Sequence, residues 1–191
     1  MIEPYSLRAE RPIHDNHQLD IERIHKTIAH ALHGAGNVFA FRPPHETSLT
    51  QLGSQEFADA TRSLRRDDSL HLSTRTWLNM LQENLPASAH QPIEARVVGI
   101  TLVANTLNPS LALMLRNPDL DNERQKMNSV VQRIGGNALR ESAVGPHLTI
   151  GTFLDRSYIE PAVISIQDMT LTSLWLRPLS LKKAMNKQSR R

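Results

Sequence analysis

The chain has 191 residues, nine histidines, no cysteine and a formal net charge of +3. That length suits one domain or a compact bilobal one with a substantial core, and the missing thiols exclude disulfides and thiolate metal sites. No apolar run approaches a membrane span, and Met1 to Tyr5 lacks the basic-then-apolar order of a secretory signal, so a soluble, cytoplasmic and monomeric protein is expected.

Residues 1–17 are polar and proline-bearing, with His14, Asp15, Asn16 and His17 as a loop or helix cap. Residues 18–34 set Ile21, Ile24, Ile28 and Leu32 on one side, the spacing of an amphipathic helix. Residues 1–36 therefore read as an N-terminal extension packed against the domain that follows. His14, His17, His25, His30 and His33 crowd this extension, but it holds no i, i+4 histidine pair and no carboxylate-histidine zinc motif. They read as surface histidines and not as a metal centre.

Residues 37–180 read as the main domain. An apolar strand at 38–41 is followed by a helix with Phe57, Ala60, Thr61 and Leu64 on one side, then by a strand at 69–73. Trp77, Leu78, Leu81 and Leu85 give a helix with Trp77 in the core, and residues 93–103 give a closing strand. A turn at 105–109 leads to a second strand at 111–115, and then to a helix placing Leu120, Met127, Val130, Val131 and Ile134 on one face. That helix stops at Gly135 and Gly136, before a strand that begins at His147. Residues 162–172 read as another closing strand, the chain beyond Leu179 as helical or frayed, and residues 181–191 as a basic tail.

Four His-x-Ser/Thr motifs occur, where roughly one is expected by chance. The one at His25 and Thr27 lies in a helical pattern, where positions i and i+2 diverge. The one at His45 and Thr47 follows Pro43 and Pro44 and reads as loop, a reserve candidate. His71 with Ser73 and His147 with Thr149 both fall on expected strands, where spacing two puts both side chains on one face. Their contexts also match: 31 residues separate Ala40 from His71, and 34 separate Leu113 from His147. Pro92 precedes Thr101 by nine positions, as Pro161 precedes Thr170. The pattern is that of a degenerate duplication with a pseudo-twofold axis between the two histidines.

Histidine can hold either protonation state near neutrality, and a hydroxyl can donate to a phosphate oxygen. Two such pairs across one phosphorus would supply a base, an acid and two donors. Arg75 alternates onto the His71 face and is a candidate phosphate contact. Phe153, on the His147 face by alternation, and Tyr158, in the loop after that strand, are candidate base-stacking residues.

On these motifs, over residues 38–177, the chain resembles the two-histidine (2H) phosphoesterase superfamily. His71 and Ser73 match its first motif and His147 and Thr149 its second, 76 residues on, while residues 38–44 match its opening strand. Thr74, Gly151, Thr152 and the first 36 residues depart from the family pattern. The resemblance implies an α+β fold of two similar lobes, each an antiparallel sheet with outer helices, around a central cleft. It implies metal-independent hydrolysis, without a cofactor, of a nucleotide or RNA-end phosphodiester: a 2′,3′-cyclic phosphate opened to a 2′-phosphate, or a 2′-5′-linked or cyclic oligonucleotide. The alternative is a nucleotide- or RNA-binding protein of the same fold without turnover.

Overall fold

An antiparallel sheet organises the chain, whose structure is a computed structural model describing residues 5–62, 64, 73–104, 108–140, 145–169 and 171–185. Its strands are β1 (Tyr5–Pro12), β2 (Phe39–Phe41), β3 (Ser48–Leu52), β4 (Ile93–Val103), β5 (Ser110–Arg116), β6 (His147–Phe153), β7 (Ser173–Leu176) and β8 (Ser180–Met185). The helices are α1 (Gln18–Ala31), α2 (Ser54–Ala60), α3 (Thr74–Asn84), α4 (Pro118–Arg133) and α5 (Ile159–Ile166). The sheet runs β7, β4, β5, β6, β3, β1, β8, and β2 also pairs with β6. It curls far enough for Ile13, just past β1, to bridge Leu176 of the edge strand β7.

Where two sheets are expected, the described strands form one. Its halves meet where β3 pairs with β6, Leu49 standing opposite Leu148. On one face the apolar side chains form two core clusters. Helices α1 and α5 cover the first through Ile21, Ile24, Ile28, Ala162 and Ile166. The second gathers Phe57, Trp77, Leu81, Met127 and Val130 from α2, α3 and α4 against Leu7 and Ala9. Trp77 is core, as its helical spacing predicts, and stands edge-on to Phe57 with ring centroids 5.0 Å apart. The opposite face of the sheet carries the polar residues.

Three sequence expectations change. Residues 5–12, part of the polar extension in the sequence reading, are a strand paired to both β3 and β8. Leu7, Ala9 and Arg11 alternate inward, and it is the charge on Arg11, fully buried, that hides the pattern. The Arg11 guanidinium bonds both Glu123 oxygens from Nε at 3.1 and 3.0 Å, and donates to the carbonyls of Gln91, Arg177 and Ser88. Gln51 completes the shell, giving Nε2–H to Glu123 at 3.1 Å and to the Leu120 carbonyl at 3.0 Å. Residues 180–185 are likewise a strand, β8, whose Lys182 and Lys183 pair with β1. Lysines suit it because an edge strand must discourage further pairing. So the sheet takes strands from the expected extension and from the expected tail.

The expected closing strand at 162–172 is instead α5 with β7 starting at Ser173. Pro161 sits in the first turn of α5, where no intrahelical N–H is needed, and Ala162 and Ile166 bury one face at i, i+4. The run of β-branched residues there suggests a strand only when that punctuation is overlooked. Helix α4 runs as expected: Asn117 caps it, Pro118 opens it, and Gly135 ends it at φ +85°.

Gly151 is a packing requirement. A Cβ there would lie 2.3 Å from Phe39 Cε1 and 2.7 Å from the Ala40 carbonyl oxygen, so β2 could not approach β6. Gly151→Ala should cost about 1–3 kcal/mol, the cost of overpacking, read as a lowered urea midpoint. Unchanged stability would mean that β2 is not seated on β6.

Beneath this pairing His25 is half-buried, with Nε2 3.3 Å from the Ile150 carbonyl and its ring centroid 4.9 Å from that of Phe41. Burial holds its pKa below the ordinary histidine value, against the opposing pull of the Ile150 carbonyl and Glu22. The unfolded chain then binds the proton more readily than the folded one. Stability from this site is full above the unfolded pKa and is lost as pH falls through the folded one. An NMR titration should show His25 protonating below the ordinary histidine value, and a midpoint at or above that value would contradict its burial.

Candidate active site

His147 opens β6 after a turn in which Gly145 adopts φ +68°, and its Nδ1 lies 3.0 Å from the Gly145 carbonyl. That carbonyl can only accept, so Nδ1 carries the hydrogen and Nε2 of the neutral ring is the basic nitrogen. Thr149 follows at spacing two and is half-buried like His147, while Leu148 and Ile150 between and beyond them are fully buried in the core. The pair therefore shares the polar face of the sheet, as expected.

The flanking strands set its surroundings. On β5, Met114 pairs with His147 and Ala112 with Thr149. On the other side the pairing of Leu49 with Leu148 brings Thr50 beside His147 and Ser48 beside Thr149, on the same face. Ser48 donates to Glu10 Oε1 at 2.9 Å and receives Arg42 Nη2 at 3.3 Å. Beside Ser48 lies an open cavity of about 330 Å³, lined in part by Arg8, Glu10, Arg42, His45 and Lys182. Partial burial lowers the Arg42 pKa while Glu10 and Glu46 raise it, and the group stays cationic.

The other expected site residues are distributed differently. His71 lies outside the described residues. Ser73 is the N-cap of α3, not a strand residue: its hydroxyl accepts from the Thr76 N–H at 3.2 Å and lies 2.9 Å from Thr76 Oγ1. Arg75 is consequently in the first turn of α3 and exposed, so strand alternation does not place it with His71. In the reserve motif, His45 is exposed in a short turn at the cavity rim, 3.6 Å from Glu46, and Thr47 is buried with its hydroxyl given to the Pro43 carbonyl at 2.9 Å.

Neither expected stacking aromatic faces the site. Phe153 is fully buried against Phe39, ring centroids 4.7 Å apart, because a register shift opposite Leu111 and Ala112 reverses the alternation of β6 after Ile150. Tyr158 packs against the first core cluster on the helix-covered face. Sequence reasoning missed Ser48, Thr50 and Glu10. Strand β3 carries polar Thr50 and Gln51 and follows two prolines, and β1 hides behind its buried arginine.

No family model matches this sequence, and no curated protein matches it. Solved structures do resemble it. Kluyveromyces marxianus Usb1 aligns over 94% of both chains with a TM-score of 0.53 and 10% identity. The same protein with uridine monophosphate covers 98% of this chain and 97% of its own, at TM-score 0.54 and 11% identity. TT0787 of Thermus thermophilus covers 78% of this chain and 74% of its own, at TM-score 0.50 and 14% identity. At these identities the likeness is one of fold: the chain shares the fold of Usb1.

Proposed function

We propose that this protein cleaves a phosphodiester of a nucleotide or RNA end by histidine acid-base chemistry without a metal. The observation that carries the reading is His147, its tautomer fixed by Gly145, beside Thr149 on the polar face of a 2H-like sheet. A neighbour of this fold, Usb1, has been solved with uridine monophosphate, which supports a nucleotide ligand.

In the reaction, one histidine takes a proton from water as its oxygen attacks phosphorus. The other protonates the leaving oxygen as the P–O bond breaks. On a 2′,3′-cyclic phosphate, breaking the bond to the 3′ oxygen leaves a 2′-phosphate. Thr149 donates to a non-bridging oxygen and stabilises the charge that develops there. His71 is the proposed second histidine, on the strength of its motif. A second reading gives that role to His45, because His45 lines the cavity beside Ser48, across the seam from Thr149.

The test is a panel of nucleoside 2′,3′-cyclic phosphates, 2′-5′-linked dinucleotides and oligoribonucleotides in excess EDTA. Turnover of one of these supports the proposal. Binding without turnover supports the non-catalytic alternative. The hydroxyls can be separated as well. Thr149→Ala should slow turnover on the order of a hundredfold with little loss of stability. Ser73→Ala should cost about 1 kcal/mol, as the loss of a helix cap does. A large rate loss at Ser73 without that destabilisation would return its hydroxyl to the mechanism.

A further inference from the structure

The face that carries His147 continues across β5 and β4 to the edge strand β7. Met114, the partner of His147, is followed on that face by Arg116, and Arg116 stands directly opposite Arg96 on β4. Two residues before Arg96, Glu94 stands opposite Trp175 of β7. Both arginines are exposed, and among the described residues neither has a carboxylate at ion-pair distance. Like charges opposite each other in a sheet repel, and among the described residues no ion pair relieves them. Glu94, on the same strip, accepts the Ser173 hydroxyl at 2.5 Å.

Trp175 is 45% exposed, which for so large a side chain leaves broad ring surface in water. Its backbone is held on both sides, by Glu94 on β4 and by the His14 N–H, which donates to the Trp175 carbonyl at 2.8 Å. The ring is thus mounted on a fixed strand. An unneutralised arginine pair calls for a polyanion, and a fixed aromatic beside it suits a planar base.

We propose that Arg116, Arg96 and Trp175 form a track for a single-stranded oligonucleotide leading away from the phosphate at His147. The arginines take backbone phosphates and Trp175 stacks a base. Three strand spacings and the register offset put Trp175 about 20 Å from His147, a span of several nucleotides. This deepens the phosphodiesterase reading and rests on it for the identity of the site at the track's end.

Binding of a fluorescein-labelled oligouridylate, long enough to span the strip, tests the track by anisotropy on the full chain. Trp175→Ala should weaken binding on the order of tenfold. Arg96→Ala and Arg116→Ala should each weaken it and lower the slope of log affinity against log salt by about one unit. Turnover of a nucleoside 2′,3′-cyclic phosphate, too small to reach the strip, should be unchanged in all three. Unaltered oligonucleotide binding in the variants would overturn the track, as would binding of anionic phospholipid vesicles in place of the oligonucleotide. If no phosphodiester is turned over at all, the catalytic reading fails while the anisotropy measurement still judges the track.

Discussion

Arg11→Met should destabilise the fold by about 3–5 kcal/mol, the effect of stripping one partner from a buried ion pair. Glu123 would lose its cationic partner at a fully buried position, with Gln51 its remaining side-chain donor among the described residues, and three backbone carbonyls would lose their donor. Those carbonyls belong to the chain before β4 and after β7, so Arg11 ties both to β1 and α4. A loss that large is a substantial share of the stability of an ordinary domain. Urea denaturation should show it as a lowered midpoint. The double variant Arg11→Met with Glu123→Leu should recover part of it, because no uncompensated charge remains. Near-native stability in the single variant would mean that the pair is not buried as described.

His147→Ala should reduce turnover by about 10²- to 10⁴-fold, the range for removing a general acid or base. Its effect on stability should be small, since the half-buried ring's hydrogen bond is to the carbonyl of a turn. His71→Ala should give a comparable loss, and combining the two should add little, since residues acting as a unit are not additive. His45→Ala should leave the rate near wild type. The reverse pattern, with His45 essential and His71 dispensable, would move the first motif to the cavity beside Ser48. Full activity of His147→Ala on a substrate that the wild type turns over would remove the site altogether.

The parts of this architecture written in periodic apolar residues are legible from sequence. Helices α1 and α4 follow from Ile21, Ile24 and Ile28 and from Leu120, Met127 and Val130, and strands β4, β5 and β6 from their apolar runs. What escapes is written in polar residues or punctuation. A buried arginine disguises β1, lysines disguise the edge strand β8, and Pro161 marks a helix start inside a β-branched run. The second motif is legible because His147 and Thr149 alternate with buried Leu148 and Ile150. Alternation puts Phe153 on the wrong face because one register shift reverses everything after it, and the pattern alone carries no sign of such a shift. Ser73 reads as a strand residue because a hydroxyl two positions after a histidine looks alike in a strand and at a helix cap.

The measurement that bears most directly on the two-histidine mechanism is the pH dependence of kcat/KM for the wild-type chain on its best phosphodiester substrate, in excess EDTA. One histidine must be neutral and the other protonated at the start of turnover, so the profile should rise and then fall, its two limbs reporting the ionisations of the pair. Activity that follows a single ionisation to a plateau, or that returns only when a divalent metal is restored, would contradict it.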